Sequence, residues 1–322
     1  MDNSNDYIFD PTYGYTLTEL LKVRGPKEPK YFDEFWQQRY QSALTVNPDP
    51  EINVIHEDKF GWRVFSIRYT STDNLFIQGW LLVPTSGEVK RGFIIGHGYA
   101  GRTEPDYHLP FKDAALLFPC SRGLSLSAYN SIPSDSACHV LHNIEHKDDY
   151  ILGGCVDDVW LAVSALLTLF PTIVGHVGYL GISFSGGVGA LALACESRVD
   201  KGHLNIPTFG HLPLRLRLAS NGSAHSIQNY YKSHKRSVLK VLAYFDAATA
   251  AKRIKIPMHC ACALFDPCVS PPSQFAIYNA LPCEKHLFVL EAGHHSYKNQ
   301  LQQEHELTNQ LNVFFKSLSN GH

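Results

Sequence analysis

The residues best placed to do chemistry stand in Gly181-Ile182-Ser183-Phe184-Ser185. A serine with small residues two positions before and after it is the pattern of a nucleophile elbow, G-x-S-x-G, here with Ser185 in place of the last glycine. The apolar run ending at Leu180 predicts a buried strand, and the small residues from Gly186 to Ala194 predict a helix lying close to a sheet. So sharp a strand-to-helix turn exposes the hydroxyl of Ser183. Further on, Asp266 follows the apolar run 256–265 and His294 follows the run 286–290. Ser183, Asp266 and His294 thus each lie just past a predicted strand, in the chain order nucleophile, acid, base. Hydroxyl, carboxylate and imidazole in this arrangement do acyl transfer: the imidazole takes the serine proton, and the carboxylate fixes the tautomer.

A developing oxyanion needs backbone donors. The run 91–96 ends at His97-Gly98-Tyr99, and the N–H groups of Tyr99 and Phe184 are the expected pair, each typically worth about 3 kcal/mol in the transition state. Four residues compete for roles. Ser185 is a second candidate nucleophile, His295 a second candidate base beside His294, and Asp246 a second acid, although its setting favours a helix cap. His97 is read as fixing its turn rather than moving protons. Two other motifs are excluded: Val188 stands where a Walker A loop needs lysine, and Gly187-Val188-Gly189-Ala190-Leu191-Ala192 lies inside the predicted helix without a following acid. No cofactor site is expected.

The elements that must position these residues alternate along the chain. Apolar spacing predicts a helix at 31–40, ended by Asn47-Pro48-Asp49-Pro50. Runs 64–70 and 76–83 predict an antiparallel pair, after which strand and helix alternate from 93 onward. An amphipathic helix is expected at 157–169, and a polar loop at 125–149 with His139, His142 and His146 solvated. The pattern breaks over 200–250, where His203 to Ser223 reads as irregular and helices follow at 227–234 and 236–244. That stretch is expected to be a cap over the site. A last helix shows apolar residues at 307, 311, 314, 315 and 318. The fold class is α/β, an α/β-hydrolase fold with a mostly parallel sheet covered on both faces. One domain is expected over 1–322, with residues 1–60 as an N-terminal extension.

Composition agrees with a large core. Of 322 residues, 44% are hydrophobic and 18% charged, and the net charge of −2 argues against nucleic acid or an anionic membrane as partner. No run of about eighteen apolar residues is evident, so no membrane span is expected. Met1-Asp2-Asn3-Ser4-Asn5-Asp6 lacks a signal-peptide pattern, which points to a cytoplasmic protein. Eight cysteines form no CxxC pair and read as reduced thiols, with Cys260 and Cys262 on one strand face.

Several segments resemble the acetyl xylan esterase/cephalosporin-C deacetylase family of carbohydrate esterases. They are Tyr31-Phe32-Asp33-Glu34-Phe35-Trp36, Gly79-Trp80-Leu81-Leu82-Val83-Pro84, His97-Gly98-Tyr99, Leu242-Ala243-Tyr244-Phe245-Asp246 and Asp266-Pro267-Cys268-Val269-Ser270-Pro271-Pro272-Ser273. The resemblance implies removal of acetyl groups from small acetylated sugars and related acetate esters, without a metal, in a homo-oligomer. The chain departs from that family's pattern at three positions. Phe184 and Ser185 replace the Gln and Gly of G-x-S-Q-G-G, and Leu124 replaces the Gln of Arg-Gly-Gln.

Overall fold

In the computed structural model, residues 7–319 are described; the hexapeptide Met1 to Asp6, on which the signal-peptide reading rests, lies outside them. The strands in chain order are β1 (Glu51–Lys59), β2 (Trp62–Thr70), β3 (Phe76–Pro84), β4 (Arg91–Gly96), β5 (Ala114–Pro119), β6 (Val177–Ile182), β7 (Lys201–Asn205), β8 (Met258–Ala263) and β9 (Lys285–Leu290). The helices are α1 (Leu17–Leu20), α2 (Phe32–Leu44), α3 (Ser136–His139), α4 (Ile151–Leu169), α5 (Phe184–Leu193), α6 (Leu212–Arg215), α7 (Ser223–Leu242), α8 (Ala247–Ala251), α9 (Pro271–Ala280) and α10 (Gln300–Phe315).

The strands form one sheet in the order β1-β2-β3-β5-β4-β6-β7-β8-β9. β1 to β3 pair antiparallel, β3 meets β5 antiparallel, and every pair from β5 to β9 is parallel. Period-2 alternation divides the core between two faces. Ile94, Leu117 and Tyr179 face α2, α4, α5, α8 and α9; Phe93, Leu116 and Leu180 face α10 and the 97–113 loop. A mostly parallel, doubly covered sheet is therefore what the chain makes.

Four expectations about the sheet and the helix before β6 need correction. β7 was not expected: its Lys-Gly-His-Leu-Asn run has one aliphatic residue, yet it sits between β6 and β8. The edge strand β1 was not expected either, since its residues are nearly all exposed and show no buried face. No helix links β4 to β5; the loop 97–113 covers that face, with Phe111 stacked on Phe93 at 4.2 Å between ring centres. The fourth concerns α4, which starts at Ile151 rather than Asp157 and is buried almost all round instead of being amphipathic.

Gly153 and Gly154 look like helix breakers, but they make room for two cations. A Cβ at 153 would lie 2.7 Å from Arg39 Cζ, and one at 154 would lie 2.2 Å from Arg122 Nη1. Asp157 and Asp158, inside the same helix, take those guanidinium groups at 2.7 and 2.8 Å. By length and composition α4 is apolar enough to cross a membrane, and 83% of that window is buried inside the protein. It is the central core helix.

All eight cysteines are free, and Cys260 and Cys262 point into the same face of the core. The predicted helices at 227–234 and 236–244 are one helix, α7, with non-helical backbone at His234 between them.

Candidate active site

β6 ends at Ile182, and Ser183 caps α5 with φ 52° and ψ −106°. A side chain held at positive φ is strained, and here the surroundings fix it. The Ser183 N–H donates to Asn205 O (2.8 Å), and its carbonyl accepts from Gly187 N–H and Thr208 N–H (3.1 Å each). The unforeseen strand β7 thus anchors the elbow. Gly181 is required here, because a Cβ would lie 2.3 Å from Ser185 O. The serine at 185 is accommodated by Gly96, where a Cβ would come within 2.4 Å of Ser185 Cβ.

Ser183 Oγ lies 2.9 Å from His294 Nε2, and His294 Nδ1 lies 2.8 Å from Asp266 Oδ2. Asp266 is fully buried, and its carboxylate has three further donors: Cys268 N–H and Val269 N–H at 2.8 Å, and Gln274 Nε2 at 3.0 Å. With Nδ1–H turned to the carboxylate, Nε2 is left to accept from the serine hydroxyl. The N-terminal segment braces both loops: Asp266 N–H donates to Pro11 O at 3.1 Å, and Tyr7 Oη lies 3.0 Å from His295 Nδ1.

The competing residues lie elsewhere. Ser185 is buried and donates its Oγ–H to His97 O at 2.6 Å, tying the elbow helix to the 97–99 turn. His295 packs against Phe265 and Tyr7 rather than against Ser183. Asp246 caps α8 and accepts from Thr249 N–H and Leu212 N–H. His97 donates from Nδ1 to Gly98 O (2.7 Å) and accepts Ser121 N–H at Nε2 (3.0 Å), so both nitrogens serve the turn.

Tyr99 and Phe184 lie side by side, with ring centres 4.3 Å apart. Among the described residues neither of their backbone N–H groups has a hydrogen-bond acceptor, so both are available as donors. Beneath them His139 is buried, not solvated. Its Nδ1 accepts from Tyr99 Oη (2.9 Å) and its Nε2 donates to Arg122 O (2.9 Å). Phe184 packs on Tyr99, His139 and Phe209, an aromatic cluster at the position where the family pattern has glutamine. Leu124 is core. The polar work beneath the loop falls to Arg122, which reaches Asp158, Asp73, Ser71 and Thr72.

A cavity of about 750 Å³ opens over Ser183 and His294, walled by Tyr99, Thr208, Arg215 and Val269 among others. Its volume suits a ligand of saccharide size. No group of three or more metal-ligating side chains occurs among the described residues.

Burial holds the imidazoles of His97 and His259 down to about 4, and that of His203 well below its ordinary 6.5. The unfolded chain takes up these protons near pH 6.5; in the folded chain His97 and His259 take theirs only near 4, and His203 is also held well below 6.5. Stability complete above pH 6.5 is therefore lost as pH falls toward 4, and His97 alone accounts for about 2 kcal/mol by pH 5. Asp246, pushed up to about 6 by burial, acts oppositely between pH 3.8 and 6 and offsets part of the loss. The urea midpoint of unfolding is expected to be lower at pH 5 than at pH 7. An equal or higher midpoint at pH 5 would refute this account.

Comparison with known proteins agrees with the geometry. The family model for acetyl xylan esterase matches residues 12–312. The fold is similar to that of an acetyl xylan esterase from Paenibacillus sp. R4, with a TM-score of 0.81, 20% identity, and 92% of this chain and 99% of that chain covered. Acetyl xylan esterase 1 from Thermoanaerobacterium sp. JW/SL YS485 is similar at a TM-score of 0.79 and 20% identity, over 94% and 99%. An acylaminoacyl peptidase from Pyrococcus horikoshii matches more distantly, at 0.64 and 16%, over 81% of this chain and 43% of that one. With the match running over nearly the whole chain, this protein belongs to the acetyl xylan esterase family and is a carboxylic ester hydrolase of α/β-hydrolase fold.

Proposed function

We propose that the protein is a serine esterase that removes acetyl groups from acetylated sugars, such as xylo-oligosaccharides, or similar short-chain acetate esters. The observation that carries this reading is the unbroken chain from Ser183 Oγ through His294 to the buried Asp266, at 2.9 and 2.8 Å. Ser183 Oγ attacks the ester carbonyl as its proton passes to His294 Nε2. Asp266 stabilises the imidazolium, and the N–H groups of Tyr99 and Phe184 hold the oxyanion. His294 then protonates the departing alkoxide, leaving the acetyl group on Ser183. Water attacks this acyl-enzyme with its proton taken by His294, and acetate departs as Ser183 regains its hydrogen.

Hydrolysis of 4-nitrophenyl esters from acetate to octanoate tests the acyl preference. We expect kcat/KM to be highest for acetate and to fall about tenfold or more by octanoate, since each misplaced methylene carries a cost in a site shaped for acetyl. Acetate release from acetylated xylo-oligosaccharides is expected alongside. A rate that rises with chain length would remove the short-chain reading.

A further inference from the structure

Among the described residues, five buried or partly buried arginines have carboxylate partners: Arg39 with Asp157, Arg91 with Asp113, Arg122 with Asp158, Arg198 with Glu196, and Arg253 with Glu28 and Asp33. Arg215 does not. It ends α6, is 3% exposed, and lines the cavity that holds Ser183 and His294. Its Nε and Nη1 are buried with no hydrogen-bond partner, and Nη2 has only Ser223 Oγ at 3.4 Å.

The surroundings of Arg215 are aromatic and neutral. Its guanidinium lies 5.2 Å from the centre of the Phe209 ring, and Tyr13, Tyr99 and Tyr150 are its phenolic neighbours. Asp266 acts on it only through space, and its oxygens are already taken by four donors. Burial lowers Arg215 to about 10, which still leaves it a cation at neutral pH. Two more orphaned polar atoms, Thr208 Oγ1 and Asn205 Oδ1, belong to residues of the same wall. A cation buried without a paired counter-charge is costly, and among the described residues no carboxylate pairs with it.

We propose that Arg215 is the recognition residue for a carboxylate on the substrate, so that the preferred ester is an anionic one, such as the acetate of an acidic saccharide. The cavity leads from the reacting serine to this cation, and Thr208 and Asn205 add neutral polar contacts beside it. Arg215 plays no part in the bond changes; it selects which ester is held over Ser183. The inference rests on the esterase reading of Ser183, and its test separates the two.

Paired esters that differ only in charge read it out. On the alcohol side, 4-acetoxybenzoate is compared with 4-acetoxybenzamide. On the acyl side, the 4-nitrophenyl monoester of glutaric acid is compared with the corresponding monoamide. The expected result is a kcat/KM ratio of roughly 30 or more for the anion in one pair, which also tells which side of the ester Arg215 faces. In Arg215→Gln this ratio is expected to drop to about one, and in Arg215→Lys part of it is retained. A direct measurement covers both steps: binding of 4-acetoxybenzoate and of the glutarate monoester to Ser183→Ala by calorimetry, with and without Arg215→Gln. Equal rates within both pairs, or a ratio unmoved by Arg215→Gln, would overturn the inference while leaving the esterase intact. If no ester is cleaved, the esterase reading falls, and calorimetry decides alone whether Arg215 holds the carboxylate.

Discussion

Ser183→Ala is expected to lower kcat on 4-nitrophenyl acetate by a factor on the order of 10⁵, with the folded structure unchanged. Ser183 Oγ is the hydroxyl in reach of His294 Nε2, and the strained elbow exists to present it. In the proposed mechanism its removal leaves the oxyanion donors and the cavity but no nucleophile, so only a small residual rate over water is expected. Ser185→Ala is the informative companion. Ser185 donates to His97 O inside the core, so its loss removes one buried hydrogen bond, worth about 1 kcal/mol of stability, and leaves catalysis in place. Initial rates, together with mass-spectrometric detection of a phosphonate adduct on Ser183, check both. Activity that survives Ser183→Ala and disappears in Ser185→Ala would reverse the assignment.

Asp158→Ala is expected to cost 3–5 kcal/mol of stability, the usual effect of removing one partner of a buried ion pair (about 3–5 kcal/mol). Asp158 and Arg122 each have side chains 3% exposed, and the carboxylate also accepts from the Arg122 N–H and from Ser71 Oγ. Without it, a cation remains in the core with Asp73 as its surviving ion-pair partner, a residue whose own side chain is 70% exposed. The damage reaches the site, because Arg122 O receives His139 Nε2–H, and His139 in turn holds the Tyr99 hydroxyl. Urea unfolding at pH 7 measures the loss. A cost under 1 kcal/mol would mean that the network does not bear on the fold.

The groups around Ser183 were legible in the sequence because each stands at a strand end with a residue type that such an end seldom needs for packing. Their neighbours were less legible, for physical reasons that differ case by case. His203 made β7 read as a loop, but in the sheet it pairs across strands with His259 at 3.1 Å, so a polar pattern is buried against its own kind. The burial of His139 depends on Tyr99, forty positions earlier, and no local window contains that partner. The helix expected at 157–169 begins six residues earlier, at Ile151, where Gly153 and Gly154 admit side chains from Arg39 and Arg122 that no local window contains. Arg215 lies in the stretch read as irregular, with Pro207 and Pro213, and nothing in sequence marks a cation that lacks a partner.

The bracing of the acid and base loops by the N-terminal segment bears on how the chain reaches its working form. Tyr7 and His295 are 288 positions apart, and Asn279 holds Leu20 O and Val23 O across about as much of the chain. Contacts this distant along the chain close late and slow folding. During synthesis residues 7–23 must wait for residues 266–295 to be made, on the order of tens of seconds at about 5–20 residues per second. Over that interval the elbow at Ser183 can form with its own strand and helix, while His294, which lies against its hydroxyl, does not yet exist. The site is thus completed late in assembly, when residues 7–23 meet residues 266–295.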